Sequence, residues 1–561
     1  MLERFVERID FDSYEDFKRN FRLKIPEDFN FGFDVVDVYA DEEPDREALI
    51  WCDDDGNEKH FTFADVKEQS NRAANMFKAL GVKKGDTVMI ILRQRPEVWF
   101  VMVGLHKLGA VVIPATFLLT KHDIVYRCNA ADVRMICCAD DPVVVEHVNQ
   151  ARGECDTLEY CSVIGDAPEG WRSLTADMSA ASPVFDRPTG DEATHNDDKM
   201  LIYFSSGTSG EPKMILHDYL LPLGHIVTAK YWQQVYDGCR HLTQADSGWA
   251  KFAWGKIYGQ WICGAVIVTY DTVKFNPHRM LEIMEKLKLN SFCGPSTIYR
   301  YLIQEDLTKY DFSSIKHCSM AGEPLNPEVY YKWQQQTGLE IREGFGQSEG
   351  SVLFANFPWL EVRPGSTGMP TPLYDIDIVD DSGKSCEEGI VGSVVIKNLD
   401  KKYPTGLFRE YYRNPEANEA SFSDGVYNTG DTAWRDADGY IWFVGRNDDV
   451  IKCSGYRIGP FEVESALMTH PSVLECAVTA VPDPMRGQVV KATIVLTRNY
   501  SPSPELVKEL QTHVKQATAP YKYPRVIEFV TELPKTTSGK IMRTAIRKAD
   551  MQKYAAMNQK S

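Results

Sequence analysis

Short apolar runs alternate with longer amphipathic stretches over the first half of the chain. The runs at 88–92, 109–114 and 135–138 have the length of buried strands, and a helical pattern over about 96–108 separates the first two. Strands that alternate with helices in this way are typical of parallel α/β layers. The pattern therefore predicts an α/β fold with a large N-terminal domain of layered β-sheets and helices.

The pattern changes after the polar stretch 446–449. The remaining C-terminal residues are predicted to contain two strands, a helix and a third strand, at 473–481, 489–496, about 503–517 and 526–530. This order predicts a small α+β domain, so we divide the chain into residues 1–447 and 448–561. A surface turn inside one continuous domain is the alternative interpretation of the polar stretch.

Charge and composition narrow the class of partner. Lys and Arg number 62 against 80 for Asp and Glu, and the resulting net charge of −18 disfavours nucleic acid, which needs a basic surface. There is no apolar run of about 18 residues that would predict a membrane span, and acidic residues interrupt the N-terminus, unlike a secretory signal. The 13 cysteines have no metal-ligand spacing. We interpret them as reduced core thiols and expect a cytoplasmic location.

The clearest chemical signal is a loop of glycines and hydroxyl residues that comes directly after the apolar strand 200–204. It comprises Ser205, Ser206, Gly207, Thr208, Ser209, Gly210, Glu211, Pro212 and Lys213. The glycines let main-chain N–H groups approach an oxyanion closely, the hydroxyls add donors, and the lysine adds a positive charge. The loop is predicted to bind phosphate, although the Gly-Lys-Ser/Thr ending of the P-loop is missing. A flexible linker is the alternative.

This loop resembles the signature loop of the adenylate-forming superfamily, which includes the acyl-CoA synthetases. Six further segments resemble motifs of that family in the same order, at 321–324, 343–349, 427–431, 445–449, 452–457 and 534–540. The runs 455–460 and 519–525 look most like medium-chain and branched-chain acyl-CoA synthetases. The resemblance implies an ATP-dependent ligase that forms an acyl-AMP, releases pyrophosphate, and then makes an acyl-CoA.

Two other functions are weighed against that ligase. One is an adenylating enzyme that passes the acyl group to an acceptor other than CoA. The other is a nucleotide-binding module without turnover, which would not need Lys540.

The resemblance also implies roles for residues that would bind ATP and Mg²⁺. Lys213, Glu349 and Lys540 are the catalytic candidates, with Glu349 as the Mg²⁺ ligand and Lys540 against the attacking carboxylate and the α-phosphate. Asp431 is expected to accept from the ribose hydroxyls, and Arg446 to donate to the ribose. The remaining ATP-binding candidates are Gly322, Glu323, Pro324, Glu343, Gly344, Phe345, Gly346, Gln347 and Ser348.

Two of these positions depart from the family pattern. Phe345 stands where the family usually has the tyrosine that stacks on adenine, so the apolar face is kept and the hydroxyl is lost. Ser348 replaces the usual threonine and keeps a hydroxyl donor. Neither change removes a charge that the chemistry requires.

The small domain is expected to supply the CoA site and a moving part. The CoA candidates are Ser454, Gly455, Tyr456, Arg486, Tyr521, Lys522 and Tyr523. Arg457 is a candidate for contact with phosphate or carboxylate. Asp448 matches the hinge about which the family rotates this domain between its two reactions. Solvated surface charge is the alternative for Arg486 and for 521–523.

The acid-binding pocket is expected where aromatic residues crowd the segment 248–264. Trp254 and Trp261 are the substrate-site candidates, because bulky rings would shorten a cavity and favour a short, medium or branched acid. An ordinary aromatic core is an equally good interpretation. ATP, CoA and one carboxylic acid are the expected partners, with the acid and the oligomeric state left open.

Overall fold

The computed structural model describes residues 1–205, 211–453, 456–483, 486–535 and 541–558. Over these residues the chain forms three sheets up to residue 446 and a fourth sheet after it. The mixed α/β fold with a large N-terminal and a small C-terminal domain is confirmed. The boundary between residues 447 and 448 stays a prediction, although one strand ends at Arg446 and the next begins at Ile451.

An eight-stranded sheet carries the predicted phosphate loop. Its strands are, in spatial order, Glu410–Tyr411, Met214–Asp218, Lys199–Phe204, Val111–Pro114, Thr87–Ile91, Val133–Cys138, Tyr160–Val163 and Arg172–Ser173. Thr87–Ile91 pairs in parallel with Val111–Pro114 and with Val133–Cys138. The predicted helix between the first two strands is Glu97–Leu108, which ends at Gly109 with a φ of 84°. The parallel α/β prediction is therefore confirmed here.

A nine-stranded sheet lies beside it in the large domain. Its strands are, in spatial order, Met369–Pro370, Val352–Ala355, Ile341–Gly346, His317–Met320, Ser291–Gly294, Arg240–Thr243, Val266–Asp271, Glu47–Asp53 and Glu58–Thr62. Ile341–Gly346 pairs in parallel with His317–Met320 on one side. On its other side it pairs antiparallel with Val352–Ala355. The segment 343–349 therefore begins inside this sheet and leaves it at its carboxyl end.

The third sheet carries the two residues predicted to bind the ribose, Asp431 and Arg446. Its strands are Ile376–Val379, Gly392–Ile396, Val426–Arg435, Phe422–Ser423 and Ile441–Arg446. Val426–Arg435 and Ile441–Arg446 pair antiparallel, with Asp431 opposite Arg446. Strand register alone therefore places two candidate residues side by side.

Helices cover the sheets of the large domain. They are Tyr14–Asn20, Val38–Glu42, Phe63–Ala79, Glu97–Leu108, Lys121–Ala131, Pro142–Ala151, Leu174–Ala180, Leu221–Ile226, Ala250–Lys256, Tyr258–Ile262, Pro277–Lys286, Ser296–Leu302, Pro327–Thr337 and Pro415–Ser421. Two of them begin with capping boxes, in which Thr62 pairs with Asp65 and Thr120 with Asp123. None of the described helices combines the length and apolar character needed to cross a bilayer. All 13 cysteines are buried.

The small domain is built on the fourth sheet. Its strands are Tyr456–Ile458, Ile451–Cys453, Gly487–Leu496, Val473–Asp483 and Val526–Val530. Its helices are Pro460–Met468, Pro504–Ala517 and Arg543–Asn558. The predicted strand–strand–helix–strand order is present. The sequence analysis missed the first and last helices, because neither Pro460–Met468 nor Arg543–Asn558 was distinguished from its surroundings by a strong apolar period.

Candidate active site

The predicted phosphate loop connects the two strands of an antiparallel hairpin. Phe204 pairs with Met214, and the Ser205 N–H donates to the Lys213 carbonyl at 2.9 Å. The hairpin therefore fixes both ends of the loop. The candidates Ser206, Gly207, Thr208, Ser209 and Gly210 lie outside the described residues.

The loop residues before Lys213 contact the helix Lys121–Ala131. The Pro212 carbonyl accepts a hydrogen bond from the Tyr126 hydroxyl at 3.0 Å. Glu211 is exposed, with a carboxylate oxygen 3.9 Å from His122 Nε2. This helix therefore supports the carboxyl-terminal side of the loop.

Lys213 and Glu349 are brought together by a residue that the sequence analysis missed. The Lys213 ammonium lies 4.6 Å from the centre of the Tyr411 ring. The Tyr411 hydroxyl donates to Glu349 Oε1 at 2.9 Å. Strand pairing of Tyr411 with Ile215 sets this position. No short-range sequence pattern marks Tyr411, because its partners are distant along the chain.

The ribose-side candidates form one connected group. Gln347 Nε2 donates to Asp431 Oδ2 and also to the Thr429 carbonyl, the latter at 2.8 Å. Arg446 Nη1 lies 3.4 Å from Asp431 Oδ1. Asp431 is buried, whereas the Arg446 side chain is 44% exposed. The carboxylate thus faces inward between two donors, and the guanidinium lies at the rim.

Burial changes the proton affinity of Asp431. Loss of hydration raises its pKa to about 6, and the positive charge of Arg446 opposes that rise. The carboxyl is therefore ionised at neutral pH and becomes protonated in mildly acidic solution. An ionised carboxylate is the form that can accept from two ribose hydroxyls.

The Phe345 ring packs within the large domain. It lies 5.1 Å from the Phe443 ring and 5.8 Å from the Phe354 ring, between centroids. Phe443 belongs to the strand that ends at Arg446. Phe345 stands at the position where the family stacks a tyrosine on adenine. Its ring therefore packs against the strand that also carries Arg446.

Ser348 is held by a second residue that the sequence analysis missed. His217 Nε2 donates to the Ser348 carbonyl, with 2.7 Å between the heavy atoms. Burial lowers the pKa of His217 to about 4, so the ring is neutral and can donate from one nitrogen only. The strand Met214–Asp218, which leaves the phosphate loop, thereby anchors the segment that carries Glu349.

Two acidic candidates serve local structure. Glu323 Oε1 accepts from the Thr297 N–H at 2.7 Å and from the Thr297 hydroxyl at 2.6 Å, at the start of the helix Ser296–Leu302. Glu343 is buried and accepts from the Leu325 N–H at 3.4 Å. Burial raises the pKa of Glu343 to about 8, so it is mainly protonated at neutral pH. These contacts hold the segment Gly322–Pro324 in place, where Gly322 has a φ of 105°.

The two tryptophan candidates lie in different places. The Trp254 ring packs against the Gly346 backbone and leaves no room for a Cβ there, as Trp232 does at Gly344. Trp261 is fully buried elsewhere, where its Nε1 donates to the Ala48 carbonyl at 3.0 Å. Both rings are therefore buried in the core of the large domain, and of the two it is Trp254 that contacts the segment 343–349.

The described CoA candidates all belong to the small domain. Lys522 forms an ion pair with Glu462 at 2.6 Å, and the Tyr523 ring lies 4.0 Å from the Lys515 ammonium. Tyr521 is 39% exposed. The Arg486 N–H donates to Asp483 in the turn between two strands.

The rest of the small-domain candidates are described only in part. The backbones of Tyr456 and Arg457 form a short strand that pairs with Ile451–Cys453. Ser454, Gly455 and Lys540 lie outside the described residues. Their assignments stay predictions.

The hinge candidate contacts the C-terminal helix. Asp448 is exposed, with Oδ2 3.7 Å from Arg547 Nη2. The neighbouring Asp449 accepts a hydrogen bond from Nη1 of the same guanidinium. One arginine therefore contacts two consecutive residues of the segment between the domains.

Comparison with known proteins identifies the family. The family described as AMP-binding enzyme matches residues 36–412, and its C-terminal domain matches residues 462–540. The chain belongs to the AMP-binding enzyme family. The suspected adenylate-forming family is thereby confirmed.

The curated relatives are acyl-CoA synthetases. The chain is 41% identical over 550 residues to human acyl-coenzyme A synthetase ACSM3, mitochondrial, covering 96% of this chain and 93% of the relative. It is 41% identical over 536 residues to human acyl-coenzyme A synthetase ACSM5, mitochondrial, covering 94% and 91%. The chain is accordingly an AMP-forming acyl-CoA synthetase.

Solved structures agree with this assignment. The anthranilate CoA ligase AuaEII, in complex with anthranoyl-AMP, matches with a TM-score of 0.85 and 30% identity over 95% of this chain and 99% of that one. A Brucella canis acyl-CoA synthetase matches with a TM-score of 0.72 and 31% identity over 97% and 100%.

The expected cytoplasmic location is wrong. The ACSM3 and ACSM5 relatives are named as mitochondrial enzymes. Buried cysteines without disulfides do not distinguish one reducing compartment from another. The inference from cysteine usage was therefore too weak to choose the cytoplasm.

The pKa of Asp431 predicts a pH step in ATP use by the synthetase. With ATP limiting, kcat/KM should be highest above pH 6 and should fall as the pH drops through about 6, because protonation removes an acceptor for the ribose. Asp431→Asn should have a lower kcat/KM at neutral pH and lack this step. An identical pH profile in the variant would contradict the assignment.

The two tryptophans should respond differently to truncation. Trp254→Gly should let the synthetase accept longer acids, because its ring packs beside Gly346. Trp261→Gly should instead destabilise the fold by about 3–5 kcal/mol, as loss of a large core side chain does, without changing the chain-length profile. Acyl-CoA formation over a series of straight-chain acids, together with thermal unfolding, measures both effects. An unchanged profile for Trp254→Gly would remove this residue from the acid pocket.

Proposed function

We propose that this acyl-CoA synthetase activates a short-, medium- or branched-chain acid at a site between Lys213 and Arg446. The observation that carries the proposal is two groups of side-chain contacts at that site. Lys213 contacts Tyr411, which binds Glu349. On the other side Gln347 and Arg446 bind Asp431. The first group supports the proposed phosphate side, and the second supports the proposed ribose side.

In the first reaction the acid carboxylate attacks the α-phosphate of ATP, and pyrophosphate leaves. Both reactants are anions, so the protein must position them and offset their charge. The loop 205–213 binds the β- and γ-phosphates, with Lys213 as its positive charge. Asp431 and Arg446 orient the ribose. Lys540 contacts the carboxylate and the α-phosphate.

Glu349 is the residue proposed to hold Mg²⁺. Its carboxylate is half-buried next to the phosphate side, and carboxylate oxygens suit this ion, which is commonly bound by one or two carboxylates together with substrate phosphates. Bound there, Mg²⁺ would offset phosphate charge. Lys213 would add a second positive charge on the same side.

In the second reaction the CoA thiol attacks the acyl-AMP, and AMP leaves. Ser454, Gly455 and Tyr456 are proposed to line the pantetheine arm, with Arg457 at a phosphate or carboxylate. Arg486 and the run Tyr521, Lys522 and Tyr523 are proposed for the nucleotide end. Rotation of residues 448–561 about Asp448 would exchange Lys540 for this CoA-binding face.

The choice of acid is supported by the aromatic wall at Trp254 and by the family resemblance. Solved relatives include ligases named for anthranilate and for benzoate, which are compact acids. A bulky ring beside Gly346 favours an acid that is short, branched or of medium length. The names of the curated relatives support a mitochondrial location for this chain.

Pyrophosphate exchange tests the activity and the acid together. Exchange should depend on the acid and proceed without CoA, whereas acyl-CoA should form only when CoA is added. A panel of straight, branched and aromatic acids should give the highest kcat/KM for a short, medium or branched one. The proposal fails if exchange is independent of acid, or if an aromatic or a long-chain acid is preferred.

Restricting the hinge should separate the two reactions. Asp448→Pro should retain pyrophosphate exchange and lose most acyl-CoA formation, because proline fixes φ at the position about which the domain rotates. Asp449→Pro is the neighbouring comparison. It also removes the Asp449 N–H bond to the Arg446 carbonyl and the contact with Arg547, so if rotation is centred on Asp448 it should impair both reactions and not separate them. Equal loss of both reactions in Asp448→Pro would contradict this role.

A further inference from the structure

Two buried tyrosines lie between the phosphate side and the ribose side of the site. Tyr411 is 5% exposed and donates from its hydroxyl to Glu349 Oε1 at 2.9 Å. Tyr427 is 1% exposed and donates from its hydroxyl to Gln347 Oε1 at 3.1 Å. Their own oxygens are 3.5 Å apart. The hydroxyl of each tyrosine thus donates to one residue of the proposed site.

The number of hydrogens fixes the direction of these contacts. A phenol carries one O–H hydrogen. Gln347 uses its amide nitrogen for Asp431 and for the Thr429 carbonyl, so its oxygen must be the acceptor for Tyr427. The single hydrogen of Tyr411 is donated to Glu349 Oε1. No hydrogen is left to bond the two phenol oxygens to each other. The Tyr411–Glu349 and Tyr427–Gln347 hydrogen bonds are therefore two separate contacts, called here the first and the second arm.

The surroundings keep both phenols in the donating form. Burial raises the pKa of Tyr411 and of Tyr427 above the usual value, and the negative charge of Glu349 adds to the rise. The Tyr411 ring also faces the Lys213 ammonium at 4.6 Å. Tyr411 therefore contacts both charged residues of the phosphate side, and Tyr427 contacts neither Lys213 nor the carboxylate oxygens of Glu349 in any hydrogen bond among the described residues.

We infer that Tyr411 and Tyr427 are positioning residues with separate tasks: Tyr411 orients Glu349 toward the metal–phosphate side, and Tyr427 orients Gln347 and through it Asp431 toward the ribose. The inference rests on the proposed roles of Glu349 and Asp431. Neither tyrosine needs to touch a substrate for this task. Loss of a hydrogen bond that orients a metal ligand commonly weakens metal binding about 10- to 100-fold.

Binding measured without the acid tests the first arm. Tyr411→Phe keeps the ring beside Lys213 and removes only the hydroxyl. Calorimetry should show that affinity for ATP in the presence of Mg²⁺ falls about 10-fold, while affinity for AMP without Mg²⁺ is unchanged. As this affinity falls, the concentration of Mg²⁺ needed for half-maximal pyrophosphate exchange should rise. Unchanged Mg²⁺ dependence overturns this arm.

AMP tests the second arm, because its binding uses the ribose side and needs no metal. Tyr427→Phe should weaken AMP and ATP by the same factor, about 3- to 10-fold, as expected for one lost hydrogen bond in a buried network. Its Mg²⁺ dependence should match that of the unaltered enzyme. Equal losses for AMP and Mg²⁺–ATP in both tyrosine variants would overturn the division of tasks.

Two further variants separate the possible failures. Tyr412→Phe is the matched control, because its hydroxyl contacts Lys199 at 3.2 Å outside the site, and all constants should stay unchanged. Glu349→Gln should raise the Mg²⁺ requirement. If it does not, the proposed metal role of Glu349 fails, and the proposed role of Tyr411 fails with it. AMP binding to Tyr427→Phe still tests the role of Tyr427. A merely structural role would lower the unfolding temperature and weaken every ligand together, which also overturns the inference.

Discussion

The register of the strand Met214–Asp218 is the constraint on which the site depends. Lys213 directly precedes the strand, Ile215 pairs with Tyr411, and His217 donates to the Ser348 carbonyl. Because side chains alternate along a strand, a slip of one residue would turn each of these groups to the opposite face. Backbone hydrogen bonds therefore set the distance between the phosphate loop and the segment that carries Glu349.

A chain with a net charge of −18 can bind a triphosphate because binding depends on local charge. Lys213 belongs to one group of contacts in the proposed site and Arg446 to the other. The acids between them are held by donors, Glu349 by Tyr411 and Asp431 by Gln347. Such contacts offset part of the cost of burying a carboxylate. The same burial leaves Asp431 with a pKa of about 6.

Much of the fold is determined by local patterns. The strands at Thr87–Ile91 and Val526–Val530 and the helix at Glu97–Leu108 are visible as apolar runs or periods of the right length. The C-terminal helix was missed, and so were Tyr411 and His217. Those two residues act through partners on other strands, and a single sequence carries no signal for such pairing. The cellular location of the protein could not be predicted either, because buried thiols are compatible with more than one compartment.

The sequence by itself determined the chemical groups and their order: a hydroxyl-rich loop ending in Lys213, an acid at 349, and an acid–arginine pair at 431 and 446. Tertiary structure alone decided which of them meet. Glu349 and Tyr411 are 62 positions apart and Gln347 and Asp431 are 84 apart. Contacts over such separations are made by sheet register and strand order, which depend on packing of the whole domain and leave no periodic trace near either residue.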